Sequence, residues 1–218
     1  MDFITDNGKI DAAKALYQIS QTRNRKTSNF EFDDDSDATA LLMEFYRHQM
    51  RHDEKDSEVL RNYANRVVEW MKSDKPCLLL LGDVGCGKTT MLEAICRMIG
   101  YIYYSNISFE RKGFQWDSAY QIEKWARNDT ERYESFKQCE WAAIDDIGLE
   151  STEVNNYGNI IYPVRDILHY RYEHRLTTII STNLLPKDLT AKYGTRIGDR
   201  LAEMSCVIKF NEPSYRIQ

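Results

Sequence analysis

Residues 82–89 read Gly-Asp-Val-Gly-Cys-Gly-Lys-Thr, which places a lysine and a hydroxyl directly after a glycine-rich turn. Glycines permit backbone conformations that point successive N–H groups inward, and such a loop at a helix N-terminus binds anions. Lys88 can then reach the β- and γ-phosphates of a nucleotide, and the Thr89 hydroxyl can ligate Mg²⁺. The full match to G-x-x-x-x-G-K-[ST] favours nucleotide binding over a turn that binds nothing. The predicted phosphate loop and its flank are Gly82, Asp83, Val84, Gly85, Cys86, Gly87, Lys88, Thr89 and Thr90.

Two acidic residues, Asp145 and Asp146, follow an apolar run at residues 141–144. Parallel strands place their carboxyl ends beside a phosphate loop of this kind, so we expect Asp145 where Mg²⁺ binds. Asp146 can orient or deprotonate an attacking water. The alternative is a capped strand end with a turn before Gly148, and the presence of the phosphate loop favours the catalytic interpretation.

Alternating strands and helices must position these residues, as the hydrophobic pattern from residue 77 onward indicates. The apolar run at 78–81 predicts a strand that is covered on both faces. This alternation implies an α/β fold, in which a parallel sheet carries helices on both sides. Further strands are predicted at 101–104, 141–144, 177–181 and 207–210, and helices at 88–99, 118–137 (with a break near 128–129) and 164–174.

The N-terminal part of the chain looks helical and acidic and contains no recognisable catalytic motif. We therefore divide the chain into a helical N-terminal region, residues 1–76, and a core, residues 77–218. An apolar stripe at 41–46 either binds a partner protein or packs on the core. Apolar residues at helical spacing predict helices at 10–19, 41–46 and 59–70, with Asp37 as the N-cap of the second.

The composition indicates a globular cytoplasmic protein. Lys and Arg number 29 against 34 Asp and Glu, and the net charge of −5 argues against a general nucleic-acid coat while leaving room for a local DNA-binding strip. Five cysteines without a C-x-x-C pair fit reduced thiols better than disulfides or a structural zinc. No apolar run approaches the roughly 20 residues that cross a bilayer, and the N-terminus lacks a signal-peptide pattern. We therefore expect no membrane partner.

Three shorter motifs complete the pattern: a polar triplet at 181–183, arginines at positions 196 and 200, and Ser-Tyr-Arg at 214–216. The spacing of the two arginines places both on one helical face. With the phosphate loop and the acid pair, these motifs resemble the AAA+ ATPases of the DnaC-type helicase-loader and IstB-type transposition-helper group, over roughly residues 75 to 218. The resemblance implies a P-loop NTPase core of the AAA+ type, preceded by a small helical region and followed by no lid domain.

The resemblance also implies roles for four residues. Asn183 would be sensor I, which contacts the γ-phosphate or the lytic water, and Arg216 would be sensor II, which contacts the γ-phosphate in its own subunit. Arg200 is the first choice for the arginine finger offered to the neighbouring subunit's ATP, and Arg196 is the second. Taken alone, the arginine pair would be interpreted as solvated helix charges. The implied protein is a homo-oligomer that uses ATP and Mg²⁺ and hydrolyses ATP only when assembled.

The loader group binds single-stranded DNA and contacts the replicative helicase. The resemblance therefore implies an ATPase that assembles on DNA and helps to load that helicase at the start of DNA replication. Three alternatives stay open: a transposition helper acting on a transposase, a slowly hydrolysing ATP-controlled adaptor (Asp146 stands where the family usually has Glu), and, more remotely, a small-molecule kinase. The candidate DNA contacts form a basic–aromatic loop whose rings could equally pack into the core: Phe109, Arg111, Lys112, Phe114 and Trp116.

Overall fold

We describe the chain from a computed structural model, which covers residues 30–49, 57–106, 114–156 and 158–214. Within these ranges, apolar runs form short strands that are buried by helices on both sides, as parallel sheets require. No described helix is long and apolar enough to cross a membrane. The strands are β1 (Cys77–Gly82), β2 (Phe114–Ser118), β3 (Trp141–Asp145), β4 (Val154–Asn156), β5 (Asn159–Ile161), β6 (Thr177–Thr182) and β7 (Ser205–Phe210).

The main sheet contains five parallel strands in the order β2-β3-β6-β1-β7, and β4 pairs with β5 in a separate antiparallel hairpin. Strand β6 lies between β1 and β3, with Thr182 opposite Leu81 and Ile180 opposite Ile144. The carboxyl ends of these three strands therefore meet at one edge, which we call the carboxyl edge. In open α/β sheets, ligands bind at this edge.

Eight described helices cover the two faces of the main sheet. On β1, Leu78 and Leu80 join one apolar cluster, and Leu79 and Leu81 join the cluster on the opposite face. This alternation follows from the two-residue period of a strand. The first three helices of the chain cover the first face, and the five later helices cover the second. They are α1 (Asp35–Gln49), α2 (Ser57–Lys72), α3 (Lys88–Asn106), α4 (Ala119–Asn128), α5 (Thr130–Gln138), α6 (Pro163–Glu173), α7 (Pro186–Tyr193) and α8 (Thr195–Met204).

Helices α1 and α2 share the apolar cluster of the first sheet face. Leu42 and Tyr46 on α1 are buried there, and Phe45 is partly buried against the same cluster. Helix α1 begins two residues before the predicted cap, where the Asp34 carboxylate accepts a hydrogen bond from the Ser36 N–H at 2.6 Å. The predicted helix at 10–19 lies outside the described residues.

One predicted strand is wrong, because residues 101–104 continue helix α3. The predicted helix ends at residue 99, and the predicted strand begins at residue 101. Instead Met98, Ile99 and Ile102 extend the helical spacing of the buried face, while Tyr101 points to solvent. Burial of a helical stripe outweighed the β-propensity of these side chains. The strand of this part of the chain is β2, which begins inside the predicted basic–aromatic loop.

The predicted break near residues 128–129 is confirmed. Helix α4 ends at Asn128, and the Asp129 carboxylate caps α5 by accepting a hydrogen bond from the Arg132 N–H at 3.0 Å. Aspartate is favoured at the N-cap position because its side chain accepts a hydrogen bond from a helix N–H that has no backbone partner.

The amino end of β6 is fixed by Arg171 of α6, which is fully buried. Its guanidinium donates to the Thr178 hydroxyl at 2.9 Å and to the carbonyl oxygens of Thr177 and Cys139 at 2.6 and 2.8 Å. These bonds tie α6 and the segment before β3 to β6, so the strand that ends at the carboxyl edge is rigidly held at its other end.

Candidate functional site

The phosphate loop lies at the carboxyl edge, between the end of β1 and the start of α3. Gly85 and Gly87 have φ angles of 85° and 98°, in the left-handed region that favours glycine. A Cβ added at Gly82 would lie 2.6 Å from the Phe210 carbonyl oxygen and 2.8 Å from the Cys86 Sγ. The loop is therefore packed too closely against the end of β7 for a larger residue at its first position.

Lys88 is 5% exposed, and its ammonium group donates to the Asp83 carbonyl oxygen at 2.8 Å. Among the described residues, no carboxylate forms an ion pair with Lys88. A buried ammonium is costly unless a negative charge accompanies it. The loop therefore fits an anionic ligand, which would supply the negative charge that Lys88 does not receive from the described residues.

Thr89 and Asp145, the predicted Mg²⁺ ligands, are in direct contact. The Thr89 hydroxyl lies 3.1 and 3.0 Å from the two carboxylate oxygens of Asp145. The described residues contain no group of three or more His, Cys, Asp or Glu side chains that could hold a metal ion. A hydroxyl and a carboxylate fit Mg²⁺, which prefers oxygen and is usually bound by few protein groups together with phosphates and waters.

Ser181 supports this pair and was missed as a site residue. Its hydroxyl donates to a carboxylate oxygen of Asp145 and accepts a hydrogen bond from the Asp146 N–H at 2.9 Å. The pairing of β3 with β6 brings Ser181 beside Asp145. The signal that could have identified it was a polar residue near the carboxyl end of an otherwise apolar strand.

Asp146 has a φ angle of 54°, which non-glycine residues seldom adopt, although aspartate adopts it more readily than most. Strand β6 holds the backbone around it on both sides. The Ile147 N–H donates to the Ser181 carbonyl oxygen at 3.0 Å, and the Thr182 hydroxyl donates to the Ile147 carbonyl oxygen at 2.7 Å. The acid predicted to activate water thus has a fixed backbone at the carboxyl edge.

Asn183 follows β6 directly and is half-buried. Because Thr182 lies opposite Leu81, Asn183 comes level with Gly82, where the phosphate loop begins. Its strand separates β1 from β3, so Asn183 lies between the loop and the acid pair. Its side chain makes no hydrogen bond to any described residue, which leaves the amide available to a ligand.

The two arginines of α8 have different surroundings. Arg196 is exposed and forms no ion pair within the described ranges. The Arg200 side chain is only 12% exposed, donates to the Glu173 carboxylate at 3.2 Å and lies 4.6 Å above the Tyr172 ring. Its second terminal nitrogen, Nη1, is buried and has no hydrogen-bond partner in the part of the chain that the structure describes. Helix α6 of the same chain therefore holds Arg200, whereas the Arg196 side chain is exposed.

The loop after the acid pair is held by α7, through contacts that sequence reasoning missed. The Glu150 side chain is 1% exposed; its carboxylate accepts hydrogen bonds from the Tyr193 hydroxyl at 2.5 Å and the Gly148 N–H at 2.8 Å. Lys192 donates to the Gly148 carbonyl oxygen at 2.8 Å. Burial, together with the charge of Glu150, raises the pKa of Tyr193, so its hydroxyl stays protonated and donates. No local signal could have paired residues more than 40 positions apart.

The remaining candidates are only partly described. Trp116 lies on β2, an edge strand, and is 42% exposed; Tyr120 follows it on α4, with the Lys124 ammonium 4.4 Å from its ring centre. Phe114 belongs to β2. Four predicted site residues lie outside the described residues: Phe109, Arg111, Lys112 and Arg216.

Comparison with known proteins identifies the fold. No family model matches the sequence, and no curated protein matches it. Many solved structures match in fold, among them three crystal structures. The structure of the DnaC helicase loader shares 20% identity and a TM-score of 0.50, covering 73% of this chain and 93% of that one. The DnaI structure shares 19% identity and a TM-score of 0.51, covering 78% and 92%. A DNA replication initiation factor shares 15% identity and a TM-score of 0.51, covering 72% and 48%.

The chain therefore has the α/β fold of AAA+ ATPases, with a five-stranded parallel sheet flanked by helices. This confirms both the predicted fold class and the predicted structural similarity to helicase loaders. Identities of this size show the fold alone, and the chemistry must be argued from the site.

Proposed function

We propose that this chain is a Mg²⁺-dependent AAA+ ATPase that assembles as a homo-oligomer on single-stranded DNA and helps to load a replicative helicase. The observation that carries the ATPase activity is the contact of Thr89 with both carboxylate oxygens of Asp145, next to the buried Lys88. P-loop NTPases use these three groups for Mg²⁺ and the β- and γ-phosphates. The fold shared with the DnaC and DnaI structures supports the loader role.

In the proposed reaction, Lys88 and the N–H groups of the phosphate loop bind the phosphates of ATP. Thr89 and Asp145 would hold Mg²⁺, which supplies positive charge to the transferred phosphoryl group. Asp146 accepts a proton from the attacking water, which Asn183 orients. An arginine from the neighbouring subunit stabilises the transition-state charge, so hydrolysis requires assembly.

The ATP site is tested by substituting Lys88→Ala and measuring ATP affinity with Mg²⁺ present. We expect affinity to fall about 10- to 100-fold, because a charge-assisted contact to phosphate is lost. Lys72→Ala is the matched control, since Lys72 is half-exposed on α2 and pairs with Asp35. Equal ATP affinity in the Lys88→Ala variant and the parent would contradict the proposal.

The loader role is tested by ATP turnover with and without single-stranded DNA, and by isolating the chain with its partners in ATP. We expect DNA to stimulate turnover and a replicative helicase to co-purify. Co-purification of a transposase would instead support the transposition-helper alternative, which uses the same ATPase. If DNA does not change ATP turnover and neither a replicative helicase nor a transposase co-purifies, both roles are contradicted.

A slowly hydrolysing ATP-controlled adaptor is the second candidate, and Asp146 favours it. Its side chain is one methylene shorter than the glutamate usual in this position, and a shorter arm holds the attacking water less well. Single-turnover hydrolysis by the parent should be compared with that by the Asp146→Glu variant. Much faster hydrolysis by the variant would support the adaptor, and equal or slower hydrolysis would support the ATPase.

A further inference from the structure

The loop after the acid pair, residues 147–151, touches the segment that follows β6. The Gly148 backbone lies directly against the Leu184 side chain, since a Cβ added at Gly148 would be 2.5 Å from the Leu184 Cδ1. Asp146 directly precedes this loop, and Asn183 directly precedes Leu184. The contact between Gly148 and Leu184 therefore helps to set how far the proposed catalytic acid lies from the residue proposed to orient the water.

Glu150 fixes the backbone on which this contact depends. One oxygen of its buried carboxylate accepts a hydrogen bond from the Gly148 N–H at 2.8 Å, and the other accepts one from the Tyr193 hydroxyl at 2.5 Å. The Lys192 ammonium donates to the carbonyl oxygens of Gly148 and Glu150 at 2.8 and 2.6 Å. Both side-chain donors belong to the last turn of α7, the helix that begins two residues after Leu184. The helix that follows the Leu184 contact thus also holds the loop.

The far end of the loop has a separate anchor on α4. The Ser151 N–H donates to the Glu123 carboxylate at 2.8 Å, and Arg127 forms an ion pair with the same carboxylate at 2.7 Å. Burial alone would raise the pKa of Glu123, but the hydrogen bonds from Ser151 and Arg127 lower it overall, so the acceptor stays ionised at neutral pH. Loss of the Glu150 contacts would therefore loosen the stretch next to Asp146 without releasing the whole loop.

We propose that Glu150, held by Tyr193, is a positioning residue for ATP hydrolysis. It keeps the Gly148 backbone in place, and so keeps the Asp146 carboxylate where it reaches the attacking water that Asn183 orients. Within the described ranges, none of its hydrogen bonds involves the phosphate loop or the proposed Mg²⁺ ligands. Glu150 should therefore act on the rate of hydrolysis and not on ATP binding. This role rests on the proposed function, in which Asp146 and Asn183 act on the water.

The test is Tyr193→Phe in the full chain, because phenylalanine keeps the packing and removes the hydroxyl that donates to Glu150. We measure kcat for ATP with Mg²⁺ and single-stranded DNA, and the affinity for a non-hydrolysable ATP analogue with Mg²⁺, at a temperature at which every variant is folded. We expect kcat to fall about 10-fold, because small displacements of reacting groups are costly, while the affinity stays within about twofold of the parent. Glu150→Gln, which removes the charge and keeps the size of the side chain, should give the same pattern.

Tyr133→Phe is the matched control for lost stability. Tyr133 is a buried tyrosine of α5 whose hydroxyl donates to the Pro163 carbonyl oxygen at 2.9 Å, so this change also removes one buried hydrogen bond. It should lower the free energy of unfolding and leave kcat at the parental value. Equal falls in kcat in Tyr133→Phe and Tyr193→Phe would show an effect of stability alone and would overturn the inference. Parental kcat in Tyr193→Phe, or an affinity that falls as much as kcat does, would overturn it as well.

Combination with Asp146→Ala identifies the route of the effect. If Glu150 acts through Asp146, the Asp146→Ala/Tyr193→Phe double variant hydrolyses ATP in a single turnover as fast as Asp146→Ala alone. A further fall of about 10-fold in the double variant would overturn the inference and leave the proposed ATPase activity of the parent intact. A parent that binds ATP without hydrolysing it, with or without single-stranded DNA, would overturn the proposed ATPase activity and this role together.

Discussion

Asp146 carries its carboxylate on a left-handed backbone, which costs most L-residues free energy. Such a conformation persists only where the surroundings fix it, and here Ser181 and Thr182 do so through three hydrogen bonds. If Asp146 is the catalytic acid, the conformation that activity requires lowers the stability of the folded chain at this residue. Substitutions at Asp146 can therefore change stability and ATP turnover in opposite directions.

We expect Asp146→Gly to be more stable to unfolding than Asp146→Ala by about 1 kcal/mol, because glycine adopts a positive φ without a Cβ penalty. At ordinary helix positions the order is reversed, and glycine is the less stable by a similar amount. Urea unfolding of the two variants measures the difference. Both should lose ATP turnover, so an Ala variant more stable than the Gly variant would contradict the strain.

The sequence predicted the site residues that lie in local motifs and missed those that the fold brings together. Short segments of the sequence contain Lys88, Thr89 and Asp145, and the residue types in those segments indicate phosphate and Mg²⁺ binding. Ser181 and Glu150 act through contacts with residues about 35 to 43 positions away, and only the pairing of β3 with β6 or the docking of α7 creates those contacts. The position of Ser181 near the end of an apolar strand marks it locally, but no local pattern names Asp145 or Tyr193 as the partners of these two residues.

Helix α8 presents two arginines in opposite states, one solvated and one held by α6. Arg200→Ala should lower the unfolding temperature by about 2–4 °C, because it removes an ion pair and a contact with the Tyr172 ring. Arg196→Ala should leave it unchanged. Thermal unfolding of both variants measures this difference, and equal effects would contradict it.

The arginine finger is identified by turnover. Of the Arg196→Ala and Arg200→Ala variants, the one that lacks the finger should bind ATP without hydrolysing it. Mixing it with Lys88→Ala subunits should restore ATP turnover, because those subunits still carry both arginines and can offer the finger to its ATP. Parental turnover in both arginine variants would refute a finger on α8.

Helix α7 acts as a clamp on the loop after the acid pair. Tyr193→Phe keeps the packing and removes the hydroxyl that donates to buried Glu150. We expect the free energy of unfolding to fall by about 1–3 kcal/mol, since a buried carboxylate loses a donor. Urea unfolding measures the change, and Tyr120→Phe, on an exposed side chain, should change it by less than about 0.5 kcal/mol. Equal stabilities would contradict the clamp.

Elements were predicted best where their period was unambiguous. The strand at β1 followed from an apolar run, and the helix break followed from the Asn128-Asp129 pair. Residues 101–104 were misread because aromatic side chains suit both a strand and a helix face. What decided between the two was burial against the first apolar cluster, which depends on α1 and α2 and is invisible in the local sequence.

At the scale of the whole molecule, the sheet has two apolar faces, and one of them is covered partly by α1 and α2. A chain of residues 77–218 would expose Leu78, Leu80 and Ile208 on that face wherever α3 alone does not cover them. We expect this shortened chain to aggregate, because large exposed apolar patches associate. A chain of residues 30–218 should remain soluble and unfold near the parental temperature.

Light scattering and thermal unfolding of the two shortened chains provide the measurement. A soluble, cooperatively unfolding 77–218 chain would show that the predicted core folds without α1 and α2. It would then be the better starting point for separating the proposed ATP binding from the proposed partner binding.

Trp116, on the edge strand β2, gives the molecule a built-in optical reporter. The chain has four tryptophans, and Trp70, Trp125 and Trp141 are buried, so Trp116 should account for the emission that acrylamide quenches. Trp116→Phe should remove this quenchable component. If single-stranded DNA stacks on the β2 edge, adding it should protect the parent's emission from acrylamide and leave the variant's unaffected. The edge strand thus allows DNA binding to be followed in the unlabelled protein, in real time and independently of ATP turnover.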